Sequence, residues 1–413
     1  MQLSPYTRGV VASWLPGREG ALARIAARLQ YTAAAAWQPQ RPILEVGPRG
    51  FGKTSVLREA QRRAEADGML TVWVTAGSEA GLIADIVAEV HRAATSWPTS
   101  ARRQLSRAVR DVIVTVGVPG AAQVQTTLVP RHPQAAGNTE FAEFLRSTCE
   151  QAAKQYHKGV VLLIDEIQDA NLAGLRTLAL TWQHLQSEPP RKATVPPPAL
   201  IGAGLPNSAT VLTDAASYTE RWEYERLEAL TPDAAETALA RPARYLGVVW
   251  HPAALGHAVQ VTQGYPYLVQ LLGAHAWEHA GNPDPGATIG ESDVEAATLQ
   301  ATSELTTLYR GRWERATSGE QTFLTAMAAA GDEPVPRSHI AAVLGVQSRA
   351  LSSPRASLIE KGIVMPDRHG YLSFTVPGFA AYVRSVASDE LQADAASAAW
   401  AARRDALTPE PGE

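Results

Sequence analysis

Gly47-Pro48-Arg49-Gly50-Phe51-Gly52-Lys53-Thr54 brings three glycines, a lysine and a hydroxyl together in one short run. Glycine lets successive backbone N–H groups turn toward a single point, an arrangement that suits an anion with several oxygens. A lysine at the end of such a loop adds a full charge, and a threonine hydroxyl beside it is a hard oxygen ligand for Mg²⁺. The spacing fits G-x-x-x-x-G-K-[ST], a cradle for the phosphates of a nucleotide that Ser55 continues into a helix. Lys53 is expected on the β- and γ-phosphates and Thr54 on the metal. A second acidic position is needed, and Asp165-Glu166 supplies it after the apolar run Val160 to Ile164. Asp165 is expected to position Mg²⁺ through water, and Glu166 to act as general base on the attacking water. Neighbouring strand residues point to opposite faces, so Glu166 must leave its strand at the tip. After a further apolar run, Asn207 is the candidate to sense the γ-phosphate, with Ser208 as the alternative.

The elements around these residues have the order that the chemistry needs. Ile43, Leu44 and Val46 read as a strand, and residues 55–68 as a helix that receives the anion at its positive N-terminus. Residues 69–77, 160–165 and 199–205 read as further strands, the middle one apolar throughout, as in a strand covered on both faces. Strands alternating with helices predict an α/β fold: a P-loop NTPase parallel sheet covered by helices. Residues 111–129 alternate around Pro119-Gly120 and read as a hairpin, and residues 187–200 as a proline-rich loop.

Composition bounds the rest. The chain has 413 residues, more than one core supports, so two or three domains are expected. A net charge of −4 excludes a uniformly basic nucleic-acid binder and leaves room only for a local patch. The single cysteine, Cys149, excludes an internal disulfide and reads as a core residue. No apolar run approaches the ~20 residues of a membrane span. No signal peptide is legible at the N-terminus, and a cytoplasmic protein without membrane contact is expected.

Together, the phosphate loop, the acidic strand end and the segments that follow resemble the AAA+ and STAND ATPases. The likeness is to bacterial ATPases with an origin-recognition-complex-like ATPase domain, over about residues 15–385. The resemblance implies ATP or ADP as ligand, Mg²⁺ as cofactor and ATP hydrolysis as activity. It implies that Gly17-Arg18-Glu19 is the box bordering the adenine pocket. It also implies that Arg221 is a finger acting on a neighbouring copy in a homo-oligomer; the alternative is a surface arginine among Glu220, Glu223 and Glu225. Gly264-Tyr265-Pro266-Tyr267 resembles the G-x-P motif of the helical lid, with Pro266 at the nucleotide. The lid arginine that many relatives carry after this proline is here Tyr267, which favours slow turnover or a nucleotide-gated switch. His275 to His279 also fits H-x-x-E-H, a metal pattern for which no third ligand is legible.

Past a Gly-, Pro- and Asp-rich loop at residues 281–293, the pattern shifts to short helices. Ser318 and Gln321 read as a capping box, Ser353 as a cap and Pro354 as a first helical residue. A hairpin around residues 367–370 follows, so the segment reads as a winged helix-turn-helix. Arg337, Arg349, Arg355, Lys361 and Arg368 are the candidate contacts to double-stranded DNA; a protein partner is the alternative occupant. The expected domains are a P-loop ATPase core at 1–222, an all-helical lid at 223–312, a winged helix-turn-helix at 313–388 and a tail helix at 389–413. The sequence thus points to an ATP-dependent switch acting on DNA. A STAND-type signalling or defence ATPase, and an accessory ATPase of a transposition or plasmid replication system, are the alternatives.

Overall fold

Both faces of the central strands are apolar, and that dictates a sheet sandwiched between helices. The structure, a computed structural model, describes residues 2–7, 11–34, 38–116, 133–187, 195–367 and 370–388. Its first part runs α1 (Glu19–Ala34), β1 (Ile43–Val46), α2 (Lys53–Ala66), β2 (Leu70–Thr75), α3 (Leu82–Ala93) and α4 (Thr99–Val116). It continues with α5 (Pro133–Lys154), β3 (Val160–Asp165), α6 (Leu172–Ser187), β4 (Pro198–Gly204), α7 (Ser208–Ala215) and β5 (Glu223–Arg226). The five strands are all parallel, in the order β2-β3-β4-β1-β5. Leu162 and Ile164 of β3 join one core with α3, α5 and α6, while Val161 and Leu163 join the other with α1 and α2. This period-two alternation, apolar both ways, is the expected parallel sheet.

The sheet extends past residue 222, because β5 pairs with β1 from Ile43↔Glu223 to Val46↔Arg226. Residues 111–116, read from sequence as the start of a hairpin, instead finish α4, which packs along α5. Their β-branched residues disfavour helix only weakly. The remainder of the expected hairpin lies outside the described residues, as do Arg368 and the tail helix.

The next region holds α8 (Pro232–Tyr245), β6 (Val249–Trp250), α9 (Pro252–Thr262), α10 (Pro266–His279), β7 (Thr288–Ile289) and α11 (Glu291–Glu314). The short parallel pair β6–β7 interrupts what was expected to be all helix. Residues 2–7 belong here by packing. Tyr6 is buried, donates its hydroxyl to the Leu239 carbonyl and meets Trp250 and Trp277 edge-on at 6.4 and 6.3 Å.

The C-terminal module comprises α12 (Ser318–Ala328), β8 (Val335–Pro336), α13 (Arg337–Val343), α14 (Ser352–Glu360), β9 (Val364–Pro366) and β10 (Tyr371–Phe374). β10 pairs antiparallel with both β9 and β8. Its capping box is one residue earlier than expected: Thr317 caps α12, and the Thr317 amide donates to Glu320 Oε2 at 2.7 Å. α14 begins at Ser352 after a 3₁₀ turn at Ser348–Leu351, so Pro354 sits inside its first turn rather than at its first position. α11 runs through the expected boundary at 312. Its Ala297, Ala301, Leu305, Tyr309 and Trp313 join one continuous apolar core that spans the lid and the C-terminal module.

One buried acid marks the first strand. Glu45 is 1% exposed, with Arg24 Nη2 3.6 Å from its carboxylate and Glu225 sharing that arginine. Burial pushes its pKa up to about 7, with Arg24 opposing. An unfolded glutamate titrates near ~4.3, so the native state binds the extra proton between these values. Stability conferred by neutral Glu45 is therefore complete at low pH and lost as pH rises toward 7. Glu45→Gln is expected to match the parent near pH 4 and to exceed it at pH 8 by up to ~3 kcal/mol in chemical denaturation. An equal difference at both pH values would contradict the assignment.

Candidate functional site

The loop after β1 is shaped by its carbonyls. Gly50 and Gly52 take φ of 84° and 85°, a conformation that a side chain disfavours. Each carbonyl from Pro48 to Phe51 accepts a hydrogen bond from outside the backbone of the loop. Lys53 Nζ donates to Pro48 at 3.0 Å, the Tyr265 hydroxyl to Arg49 at 3.1 Å, the Tyr267 amide to Gly50 at 3.1 Å and Arg18 Nη2 to Phe51 at 3.1 Å. A trans peptide points its N–H opposite its C=O, so fixing each of these carbonyls also fixes the N–H of the next residue, from 49 to 52. At its start the loop is fixed by the Gly47 amide on the Gly204 carbonyl at 3.1 Å.

The functional side chains converge above the carboxyl ends of the strands. Thr54 Oγ1 donates to Asp165 Oδ2 at 2.9 Å, linking the first turn of α2 to the end of β3. Asp165 is buried, and burial raises its pKa while the Thr54 hydrogen bond opposes. Lys53 is buried too; burial lowers its pKa, and Glu166 and Asp165 oppose. Glu166 leaves the strand with φ 50° and ψ 44°, the turn at the tip that the sequence required. Its Oε2 accepts from Gln168 Nε2 at 2.8 Å, and Gln168 Oε1 accepts from the Leu205 amide at 2.8 Å.

Beside these groups lies a cavity of about 550 Å³. Arg18, Lys53, Thr54, Ser55, Glu166 and Pro266 line it. The N-terminal segment closes one side through Val11, Trp14 and Leu15, and the Ala12 amide is fixed on Ser55 Oγ at 3.2 Å. Leu230, Ala238, Tyr267 and Val269 of the lid face them. An apolar cleft with a charged cradle at one end suits a nucleotide, base in the cleft and phosphates in the cradle. The Thr54–Asp165 pair, two hard oxygens already in contact, fits Mg²⁺. Thr54 and Asp165 are the residues that would hold it.

Other expected residues lie elsewhere. Asn207 stands outside the cavity lining, with its side-chain oxygen buried and unpartnered, and Ser208 Oγ donates to the Leu205 carbonyl at 2.7 Å. Arg221 is exposed at the end of a 3₁₀ turn, 5.8 Å over Tyr218; Glu223 and Glu225 are engaged by Arg28, Arg41 and Arg24 instead. His275 is buried against Glu304 at 2.9 Å, and His279 meets Gln300, so the H-x-x-E-H pattern is spent on packing α10 against α11. Among the described residues no cluster of metal-ligating side chains is found. In the C-terminal module Arg349 is exposed, and Arg337 and Arg355 are half-buried. The Lys361 ammonium lies 2.6 Å from Glu320 Oε2, the carboxylate of the α12 cap.

Sequence reasoning missed the joint between the loop and the rest of the chain. Phe51 is 2% exposed and belongs to the apolar core of the lid, its ring 5.6 Å from Tyr265. Phe51 and Tyr265 also border a second cleft of about 260 Å³, whose far wall is Met365, Phe374 and Pro377 of the C-terminal module. Arg312 of α11 is buried nearby and donates to the Gly362 carbonyl at 2.9 Å and to Thr375 Oγ1; burial lowers its pKa to about 10, and Tyr265 opposes. The Tyr309 hydroxyl donates to the Pro377 carbonyl at 2.5 Å. A bulky apolar residue inside a glycine-rich loop was the available signal.

Comparison with known proteins agrees with this geometry. A family model for the AAA ATPase domain matches residues 15–195, and one for a domain of unknown function (DUF8462) matches residues 306–383. No curated protein matches the chain by sequence. Among solved structures, the Walker-type ATPase PABY2304 of Pyrococcus abyssi is similar, with a TM-score of 0.58 and 15% identity over 93% of this chain and 99% of that one. The ORC2 protein of Aeropyrum pernix, in its ADPNP-ADP complexes, gives 0.55 and 16% over 94% and 98%. Among the described residues no helix is long and apolar enough to cross a membrane. Residues 15–195 thus combine a phosphate-loop cradle with an acid-tipped third strand, in a P-loop fold similar to the AAA ATPase domain.

Proposed function

We propose that the chain is an ATP-dependent switch with slow hydrolysis, whose nucleotide state sets how a C-terminal winged helix binds double-stranded DNA. The observation that carries this reading is Phe51, one residue of the phosphate loop that is packed in the core shared by the lid and the C-terminal module. A shift of that loop cannot leave the core unchanged, because close-packed interiors do not deform freely. The ATP phosphates would be held by the N–H groups of residues 49–52 and by Lys53. The bound Mg²⁺ would supply charge neutralisation at the phosphate oxygens. Glu166 would take the proton of the water that bonds to the γ-phosphorus as the bond to the departing ADP breaks. Tyr267 at the lid position supports slow turnover, since it brings no positive charge to the γ-phosphate.

Three helices and a hairpin read as the winged helix, with α14 as the helix for the major groove. Arg337, Arg349 and Arg355 are its proposed phosphate contacts. Arg221 would act on the nucleotide of a neighbouring copy. A second reading, docking of the module on a protein, draws support from Val343 and Val346, which are exposed beside Arg349. DNA binding should weaken with salt by about 0.9 log units per log unit of salt for each phosphate contacted, and protein docking far less.

Lys53→Ala is expected to weaken Mg-ATP binding by about 10- to 100-fold in calorimetry, the loss of a charge-assisted hydrogen bond. Tyr265→Phe keeps the ring and loses only the hydroxyl on the Arg49 carbonyl, so a loss of about fivefold is expected. Unchanged affinity in both variants would remove the cradle. DNA affinity measured by fluorescence anisotropy should differ between ATP and ADP, and Lys53→Ala should behave alike in both. Equal affinity of the parent chain in ATP, in ADP and without nucleotide would end the coupling.

A further inference from the structure

Glu166 sits at the cavity wall in a backbone conformation that a glutamate does not choose by itself. Its φ of 50° is left-handed and costs on the order of 1 kcal/mol or more. Something must hold it there. Its carboxylate is contacted by Gln168, two residues later, through Nε2 at 2.8 Å from Oε2. The other end of that amide is anchored outside the turn. Gln168 Oε1 accepts from the Leu205 amide at 2.8 Å, just beyond β4, and Ser208 Oγ approaches it at 3.5 Å. The surrounding backbone has made room for this. A Cβ added at Gly204 would lie 2.2 Å from Ser208 Oγ and 2.8 Å from Gln168 Oε1. Gly204 also accepts from the Gly47 amide, so the strand end that anchors Gln168 is tied directly to the phosphate loop.

We infer that Gln168 is a positioning residue for hydrolysis, an inference that rests on the ATPase reading above. Its amide N–H fixes Glu166 Oε2 and leaves Oε1 for the attacking water, while its amide oxygen ties that geometry to the end of β4. An amide is the side chain that can do both tasks, since one end donates to a carboxylate and the other accepts from a backbone N–H.

The two ends of the amide can be separated by one isosteric change. Gln168→Glu keeps the acceptor for the Leu205 amide and loses the donor to Glu166. Steady-state ATP hydrolysis by the purified full chain with Mg²⁺ at pH 8 reads the outcome. Gln168→Glu and Gln168→Ala are both expected to lower kcat by about 10-fold or more, the share of general-base catalysis that depends on placement. KM and Mg-ATP affinity should stay within about threefold of the parent, because the cradle is untouched. A purely structural role predicts parent-like kcat for Gln168→Glu, which still accepts from Leu205; that result overturns the inference. So does a rise in KM with kcat unchanged. Lys53→Ala serves as the control for the site: if the parent hydrolyses ATP and only the Gln168 variants behave as the parent, this inference alone fails. If the parent shows no hydrolysis above Lys53→Ala, the ATPase reading and this inference fail together.

Discussion

The arrangement depends on the hydrogen bonds that hold four consecutive carbonyls of the phosphate loop. A loop that turns its N–H groups to one point must expose its carbonyls on the other side, and buried carbonyls without donors are costly. Here the donors come from three places: Lys53 within the loop, Arg18 before α1, and Tyr265 and Tyr267 at the start of α10. The lid is therefore not an accessory laid over a finished site. Two of the four donors that shape the cradle belong to it.

That sharing gives the chain its mechanical logic. Phe51 anchors the loop in the lid core with the ~2 kcal/mol or so that burying such a side chain contributes. α11 carries the same core onward to the C-terminal module through Tyr309 and Arg312. The hairpin end is tied back to the sheet as well, where Arg226 Nη2 donates to the Pro366 carbonyl at 2.6 Å. The N-terminal segment adds a second bridge: Tyr6 is rooted in the lid, while Ala12 rests on the first turn of α2. The phosphate loop, the lid and the C-terminal module thus share walls.

Much of this was legible in the residues because local chemistry fixed it. The glycines, Lys53 and Thr54 could form little else after a strand, and the uninterrupted apolar run before Asp165 required a strand covered on both faces. What escaped notice depended on distant partners. Residues 112–114 have strand propensity, yet they finish α4. Thr317 and Ser318 are both good caps, and the reach of Glu320 decides between them. Lys361 looked like a free cation because its partner lies 41 residues away in sequence. Gln168 went unweighed beside Asp165 and Glu166 because an amide in a turn announces no chemistry until Leu205 is seen to meet it. His275 and His279 showed the opposite failure, a spacing that suggests a metal on a helix whose faces are already packed.

Hydrogen exchange with and without Mg-ATP tests the shared-wall account most directly, because it reads the loop, the lid and the C-terminal module in one sample. The account predicts that nucleotide changes the protection of residues 47–55 together with residues 309–313 and 371–379. Protection that changes at the phosphate loop and Asp165 alone, with the C-terminal module unaltered, would contradict it.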